Sequence, residues 1–238
     1  MTAQLVALAF DAITPNELAR FWAHALGWRI RSVGDGDVEL TPSDATGFRL
    51  LFRPASYVKS SQNRIHFDVT TTSPDEQDDT VAELLALGAH HIDIGQQSDD
   101  THVVLADPEG NEFCIIEPQN RFLADCPRLG AVNCDGSRAL GHFFSEALGW
   151  PLVWDQDEET AIQAPDGNGP KITWSGPPFM PRADRERIHF HLASTPGASP
   201  EDALEHLLTI GADRRDDGCP DATGLIDVDG NDLCLVEL

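Results

Sequence analysis

Positive charge is what this 238-residue chain lacks most: 16 Lys and Arg stand against 40 Asp and Glu, for a formal net charge of −24. The deficit is general, with 19 acids and 8 bases up to residue 124 and 21 acids and 8 bases after it. Such a field repels nucleic acid and anionic membrane surfaces, so neither is expected as a partner, and it attracts cationic ligands. Solubility alone also accounts for an acidic surface. Long apolar runs are missing too; none approaches the roughly 20 residues of a membrane span. Residues 1–4 carry no basic segment, and the apolar run 5–10 is too short for a secretory core. Five cysteines, an odd number without paired spacing, do not describe a disulfide framework. A reduced, cytoplasmic setting is therefore expected. No glycine-rich phosphate loop, CxxC pair or GxSxG elbow is present, which removes the usual signatures of nucleotide, dithiol and serine-hydrolase chemistry.

What the chain does have is a twelve-residue block written twice, at 106–117 and 226–237. Each copy places Asp-x-x-Gly-Asn (Asp107 to Asn111, Asp227 to Asn231) ahead of an apolar run containing Cys114 or Cys234. Glycine and asparagine tolerate positive φ and an Asp side chain bonds nearby amides, so each copy reads as a tight turn entering a strand. Equivalent positions lie 120 residues apart, so the chain is a duplication.

The rest follows as two aligned halves. A strand at 5–10 precedes Thr14, Pro15 and Glu17, which have the form of a capping box. Leu18, Phe21, Trp22, Ala25 and Leu26 then share one helical face, and Gly27 stops the helix. Extended runs at 38–40 and 48–52 follow. The order repeats with a strand at 64–70, a capping box at Ser73 and Glu76, a helix carrying Val81, Leu84 and Leu85, and strands at 92–94, 103–105 and 113–116. Residues 119–127 include Phe122 and Leu123, so a packed connection is expected there. Beyond it, 139–150 matches 17–28, Arg187 to Phe190 matches Arg64 to Phe67, and Ser199 opens the last helix. The reading is an α+β chain of four βαβββ modules. Residues 1–118 and 128–238 are the expected domains, packed on each other, and 119–127 is the linker.

The Phe-Trp-x-x-Ala-Leu-Gly-Trp segment of 21–28 and the Asp-Pro-Glu-Gly-Asn-Glu-Phe-Cys segment of 107–114, in this modular order, resemble the vicinal oxygen chelate superfamily. That group contains glyoxalases, bleomycin-resistance proteins and extradiol dioxygenases, and the resemblance is to its glyoxalase-like branch common in actinobacteria. It covers nearly the whole chain. It implies that modules pair into two glyoxalase-like domains, each an eight-stranded cup with helices outside and a small-molecule ligand inside. A homodimer is compatible with it. The reaction does not follow from the fold.

The resemblance also implies where metal ligands belong: early in the first strand, at the start of the fifth, and in the last strand after Gly-Asn. The first-strand position falls on Ala7 and Leu129, which cannot bind a metal. The fifth-strand position falls on His66 and His189. The last falls on Cys114 and Cys234, where glutamate is usual; Glu117 and Glu237, three residues on, have the opposite strand parity. Alternation puts His66 with Asp68, and His189 with His191, on the cup side. His66, Asp68 and Cys114, or His189, His191 and Cys234, are thus two candidate donor sets, and Cys with His favours zinc over iron or manganese. His66 with Asp68 and His189 with His191 are also the candidate acid–base groups. Trp154 and Trp174 are candidates for stacking on a flat ligand. Polar pocket lining and ordinary core packing explain the same residues. The loss of metal positions favours a small-molecule-binding protein with a degenerate metal site that sequesters a cationic or aromatic compound. The alternative is a metal-dependent lyase, isomerase or dioxygenase acting on a small oxygenated substrate.

Overall fold

Four modules of one design follow each other along the chain. The computed structural model describes residues 2–97, 100–181, 186–215, 219 and 222–238. Module 1 contains β1 (Ala3–Ala12), α1 (Pro15–Leu26), β2 (Arg29–Gly34), β3 (Asp37–Thr41) and β4 (Arg49–Pro54). Module 2 contains β5 (Ile65–Val69), α2 (Pro74–Ala86), β6 (His90–His91), β7 (Val103–Ala106) and β8 (Glu112–Ile115). Module 3 contains β9 (Leu129–Cys134), α3 (Arg138–Leu148), β10 (Leu152–Gln156), β11 (Glu159–Ile162) and β12 (Lys171–Trp174). Module 4 contains β13 (Ile188–Ser194), α4 (Pro200–Thr209), β14 (Asp213–Arg214), β15 (Thr223–Ile226) and β16 (Asp232–Val236). No described helix is long and apolar enough to cross a membrane. The strand expected at 92–94 is instead the two-residue β6, whose His90 and His91 are exposed.

The helices form where expected; α1 buries its expected face, while in α2 Leu84 is buried and Val81 and Leu85 only partly so. Leu18, Phe21, Trp22, Ala25 and Leu26 are all buried along α1, and Gly27 closes it in a left-handed conformation with φ 68°. Ser73 and Ser199 cap α2 and α4, and the Ser199 N–H donates in return to Asp202 Oδ2. Thr14 does not close the expected box with Glu17. Its N–H and hydroxyl donate to Glu109 Oε1 at 2.8 and 3.1 Å, because a carboxylate from module 2 reaches the helix start first.

The eight-stranded sheets cross between the halves. Modules 4 and 1 make an outer cup in the order β14-β15-β16-β13-β1-β4-β3-β2, and modules 3 and 2 make an inner cup in the order β10-β11-β12-β9-β5-β8-β7-β6. The seams are antiparallel, β1 with β13 and β5 with β9. The boundaries at 118 and 128 therefore mark the sequence repeat, while each cup draws one module from each half. A single apolar core spans all four modules, from Leu8, Phe10 and Trp22 through Phe67 and Phe113 to Phe144, Phe190 and Leu235.

The repeated turns clasp these crossings. Asp107 Oδ1 accepts from the N–H groups of Glu109 and Asn111, and Asp227 Oδ1 does the same for Asp229 and Asn231. Each turn then reaches across to the other cup. Asp229 accepts from Ser137 N and Oγ at 2.6 and 2.8 Å at the start of α3, as Glu109 does at the start of α1. Arg64 donates to Asp135 Oδ2 at 2.7 Å and to Asn231, while Arg187 pairs with Glu109.

One expectation fails outright. Cys219 and Cys234 form a disulfide, leaving Cys114, Cys126 and Cys134 as thiols. The odd count and the 15-residue separation of the partners gave no local sign of it.

Candidate functional site

Local irregularities decide which side chains face each cup. The β1–β13 register shifts between Leu5 and Ala7, and the β5–β9 register shifts between Asp68 and Val69. Leu5 and Leu129 thereby enter the main core, while Ala7 and Ala131 turn away from it. The first-strand position of the second half is therefore Ala131 and not Leu129. A bulge inserts one residue and reverses the alternation on which simple counting depends.

Equivalent rows now cross both floors. In the inner cup the in-register row is Cys114, Asp68, Ala131 and Lys171 on β8, β5, β9 and β12. In the outer cup it is Cys234, His191, Ala7 and Arg49 on β16, β13, β1 and β4. His66 and His189 stand two residues before Asp68 and His191 on the same strands. The structure thus brings together both predicted sets, since the donor atoms of His66, Asp68 and Cys114, and those of His189, His191 and Cys234, each lie within 4.8 Å of one another.

The inner cup holds a cavity of about 330 Å³. Asp68, Asn133, Thr173, Glu159, Trp154 and Phe122 are among the residues that line it. Phe122 and Trp154 meet edge to face with centroids 6.1 Å apart, and both remain 38% exposed. Trp174 reaches the same cavity but is otherwise buried and stacked on Phe144 at 5.3 Å. Lys171 lies over the Phe122 ring with Nζ 4.7 Å from the centroid. Burial raises the Asp68 carboxyl above its ordinary pKa, against the pull of His66, His102 and hydrogen bonds from Asn133 and Cys114. His66 Nε2 is 3.6 Å from Asp68 Oδ1, an ion-pair distance longer than a good hydrogen bond. Burial and the neighbouring Asp68 charge push the Cys114 thiol up, so it stays protonated. Sequence reasoning missed Phe122 as a lining residue, along with Asn133 and Glu159. Phe122 read as packing for the connection, and no periodicity marks a residue that folds over a distant sheet.

The outer cup is tighter. His189 and His191 are buried with ring centroids 5.0 Å apart. Burial, then the proximity of His189, Arg53 and Arg49, drives the His191 imidazole down to a pKa of about 3, so it is neutral. Its Nε2 is buried without a hydrogen-bond partner among the described residues. Cys234 is beside it, but its sulfur is bonded to Cys219.

A family model described as "Glyoxalase-like domain" matches residues 7–116 and again 131–236. The chain belongs to this glyoxalase-like family. Its fold is similar to glyoxalase I from Zea mays, with a TM-score of 0.67 at 13% identity over 99% of this chain and 92% of that one. It is also similar to a putative dioxygenase from Bacillus subtilis subsp. subtilis str. 168, with a TM-score of 0.61 at 14% identity over 98% and 84%. At such identities the likeness establishes the fold alone. No curated protein sequence matches the chain significantly.

Each glyoxalase-like cup gathers three groups that could hold a metal ion. In the inner cup these are His66, Asp68 and Cys114, the thiol being hydrogen-bonded to the carboxylate. In the outer cup the two imidazoles suit a borderline metal and the His191 Nε2 lacks a partner among the described residues, while the Cys234 sulfur is bonded to Cys219.

Proposed function

We propose that this protein binds a small organic molecule in the inner cup, with flat cationic compounds as the preferred class. The observation that carries the reading is the cavity itself. Its volume falls within the range of small-molecule sites, and it is lined by both an exposed aromatic pair and a buried carboxylate. Trp154 offers a π-face to a cation, and Phe122 completes that wall. Asp68 is costly to bury alone, and a ligand cation would return what burial takes from it. Glu159 adds a second negative group at the rim. The chain's net charge of −24 would draw such a ligand from a distance.

The enzymatic alternative, a metal-dependent lyase, isomerase or dioxygenase, draws support from the family and from His66 beside Asp68. Isothermal calorimetry against a panel of cationic aromatic compounds and neutral isosteres tests the proposal. One molecule of a cationic member should bind per chain, with affinity falling as salt rises. Failure of every member to bind, alongside metal-dependent turnover of a small oxygenated substrate, would replace binding with catalysis.

A further inference from the structure

We infer that His189, His191, Cys219 and Cys234 form a redox-gated zinc site in the outer cup, open when the two cysteines are reduced and closed when they are joined. The inference is independent of the ligand proposed for the inner cup.

Three observations carry it. The donor atoms of His189, His191 and Cys234 already lie within 4.8 Å of one another on adjoining strands β13 and β16. The Nε2 atom of His191 is buried and unpartnered among the described residues, in a side chain only 3% exposed. A fully buried imidazole nitrogen without a partner is costly, and a metal bond would remove that cost. Finally, Cys219 brings a second sulfur to Cys234 with Cα atoms 5.8 Å apart. Two imidazoles and two thiolates are a familiar tetrahedral zinc set, with Zn–S near 2.3 Å and hence sulfurs about 3.8 Å apart. Reduction releases the sulfurs to separate to that spacing. Cys219 sits in the connection between β14 and β15, outside regular structure, so the adjustment need not disturb a strand.

Charge also favours this donor set. Arg49 and Arg53 act on the outer-cup floor, where they disfavour a bare divalent ion. Two thiolates cancel the zinc charge, and Glu39 and Asp37 pair with the two guanidinium groups. The family's usual carboxylate position is thus taken by a sulfur that is a ligand only in one redox state.

The chemistry balances in both directions. A dithiol reductant exchanges with the Cys219–Cys234 bond, giving two protein thiols and an oxidised dithiol. Zinc then displaces the two thiol protons. In the reverse direction, hydrogen peroxide and two protons convert the two bound thiolates to the disulfide and two waters, and zinc leaves.

The test uses the full chain. Protein reduced with a dithiol, freed of reductant without oxygen and titrated with zinc against a chromogenic chelator should take up one zinc per chain in the outer cup. Oxidised protein should take up none there. Peroxide should release that zinc while peptide mapping recovers the Cys219–Cys234 bond. Cobalt substituted for zinc should show the charge-transfer absorption of two thiolates, about halved in Cys219→Ser. The same variant should lose zinc affinity by more than the roughly 100-fold that loss of an outer-shell partner costs, and should no longer respond to peroxide. Cys126→Ser should behave as wild type. Absence of zinc uptake by reduced wild type, equal uptake by oxidised wild type, or unchanged affinity in Cys219→Ser would each overturn the inference. The wild-type redox comparison and cobalt spectrum require no variant to fold.

Discussion

Asp68 and His191 occupy equivalent points of the two cups. Each is paired in register with a cysteine on one side, Cys114 or Cys234, and with an alanine on the other, Ala131 or Ala7. One cup therefore carries an acid at its centre and the other a neutral imidazole. The duplication preserved the scaffold and let the two floors take different chemistry.

That contrast separates charge from stacking in the inner cup. Asp68→Asn should weaken binding of a cationic aromatic compound while leaving its neutral isostere nearly unaffected. Trp154→Ala should weaken the cation through lost cation–π attraction, by about 0.5–2 kcal/mol, and should weaken the isostere through lost contact. Calorimetry on the two variants with both compounds reads the difference directly. Equal losses for both compounds in Asp68→Asn would remove the role assigned to its charge.

Trp22 tests the clasp of the repeated turn. Its Nε1 donates to Asp107 Oδ2 at 3.0 Å in a buried setting. The equivalent residue of the second half is Phe144, so a phenyl ring is tolerated by that architecture. Trp22→Phe should cost about 1–3 kcal/mol in denaturant unfolding, chiefly from the lost hydrogen bond. An unchanged midpoint would show that the bond contributes nothing net.

Arg64 joins the halves at the other turn. It is 6% exposed and donates to both a side-chain oxygen and the main-chain oxygen of Asp135. Arg64→Met keeps the aliphatic stem but leaves Asp135 buried without its cation. A loss of about 3–5 kcal/mol in unfolding free energy is expected, and it should shrink in the double variant with Asp135→Asn. Additive losses would mean that the pair is not coupled.

The two turn aspartates give the stability a specific pH dependence. Burial lifts both Asp107 and Asp227 to a pKa of about 6, against hydrogen bonds that pull the other way. The unfolded chain's carboxyls titrate near 3.9. The folded state holds these protons more tightly, so their contribution is fully present below about pH 4 and is lost as pH rises through 6. Wild type compared with Asp107→Asn/Asp227→Asn should therefore show a stability difference that moves against wild type between pH 4 and pH 7. A constant difference across that range would contradict the raised values.

The helices and turns were legible in the sequence because their signals are local. Pro15, Ser73, Ser199 and Gly27 act within a few residues of themselves. Of the site, His66, Asp68, His189 and His191 could be aimed correctly because β5 and β13 are regular where they lie. Leu129 was misplaced because β9 is not, and one extra residue reverses a period of two. The pairing of β1 with β13, the approach of Phe122 to Trp154, and the Cys219–Cys234 bond join distant segments. No local pattern encodes which distant partner a strand or loop will meet.

The seam between β1 and β13 also has a consequence for how the protein is made. β1 pairs along one edge with Ile188–Ser194, a segment synthesised long after it. Until that segment is synthesised, an apolar ten-residue strand has one hydrogen-bonding edge without its native partner. Contacts of such sequence separation form slowly, and an open edge invites association with other nascent chains. Productive folding of the outer cup must therefore wait for β13, and slowed translation should lower soluble yield instead of raising it.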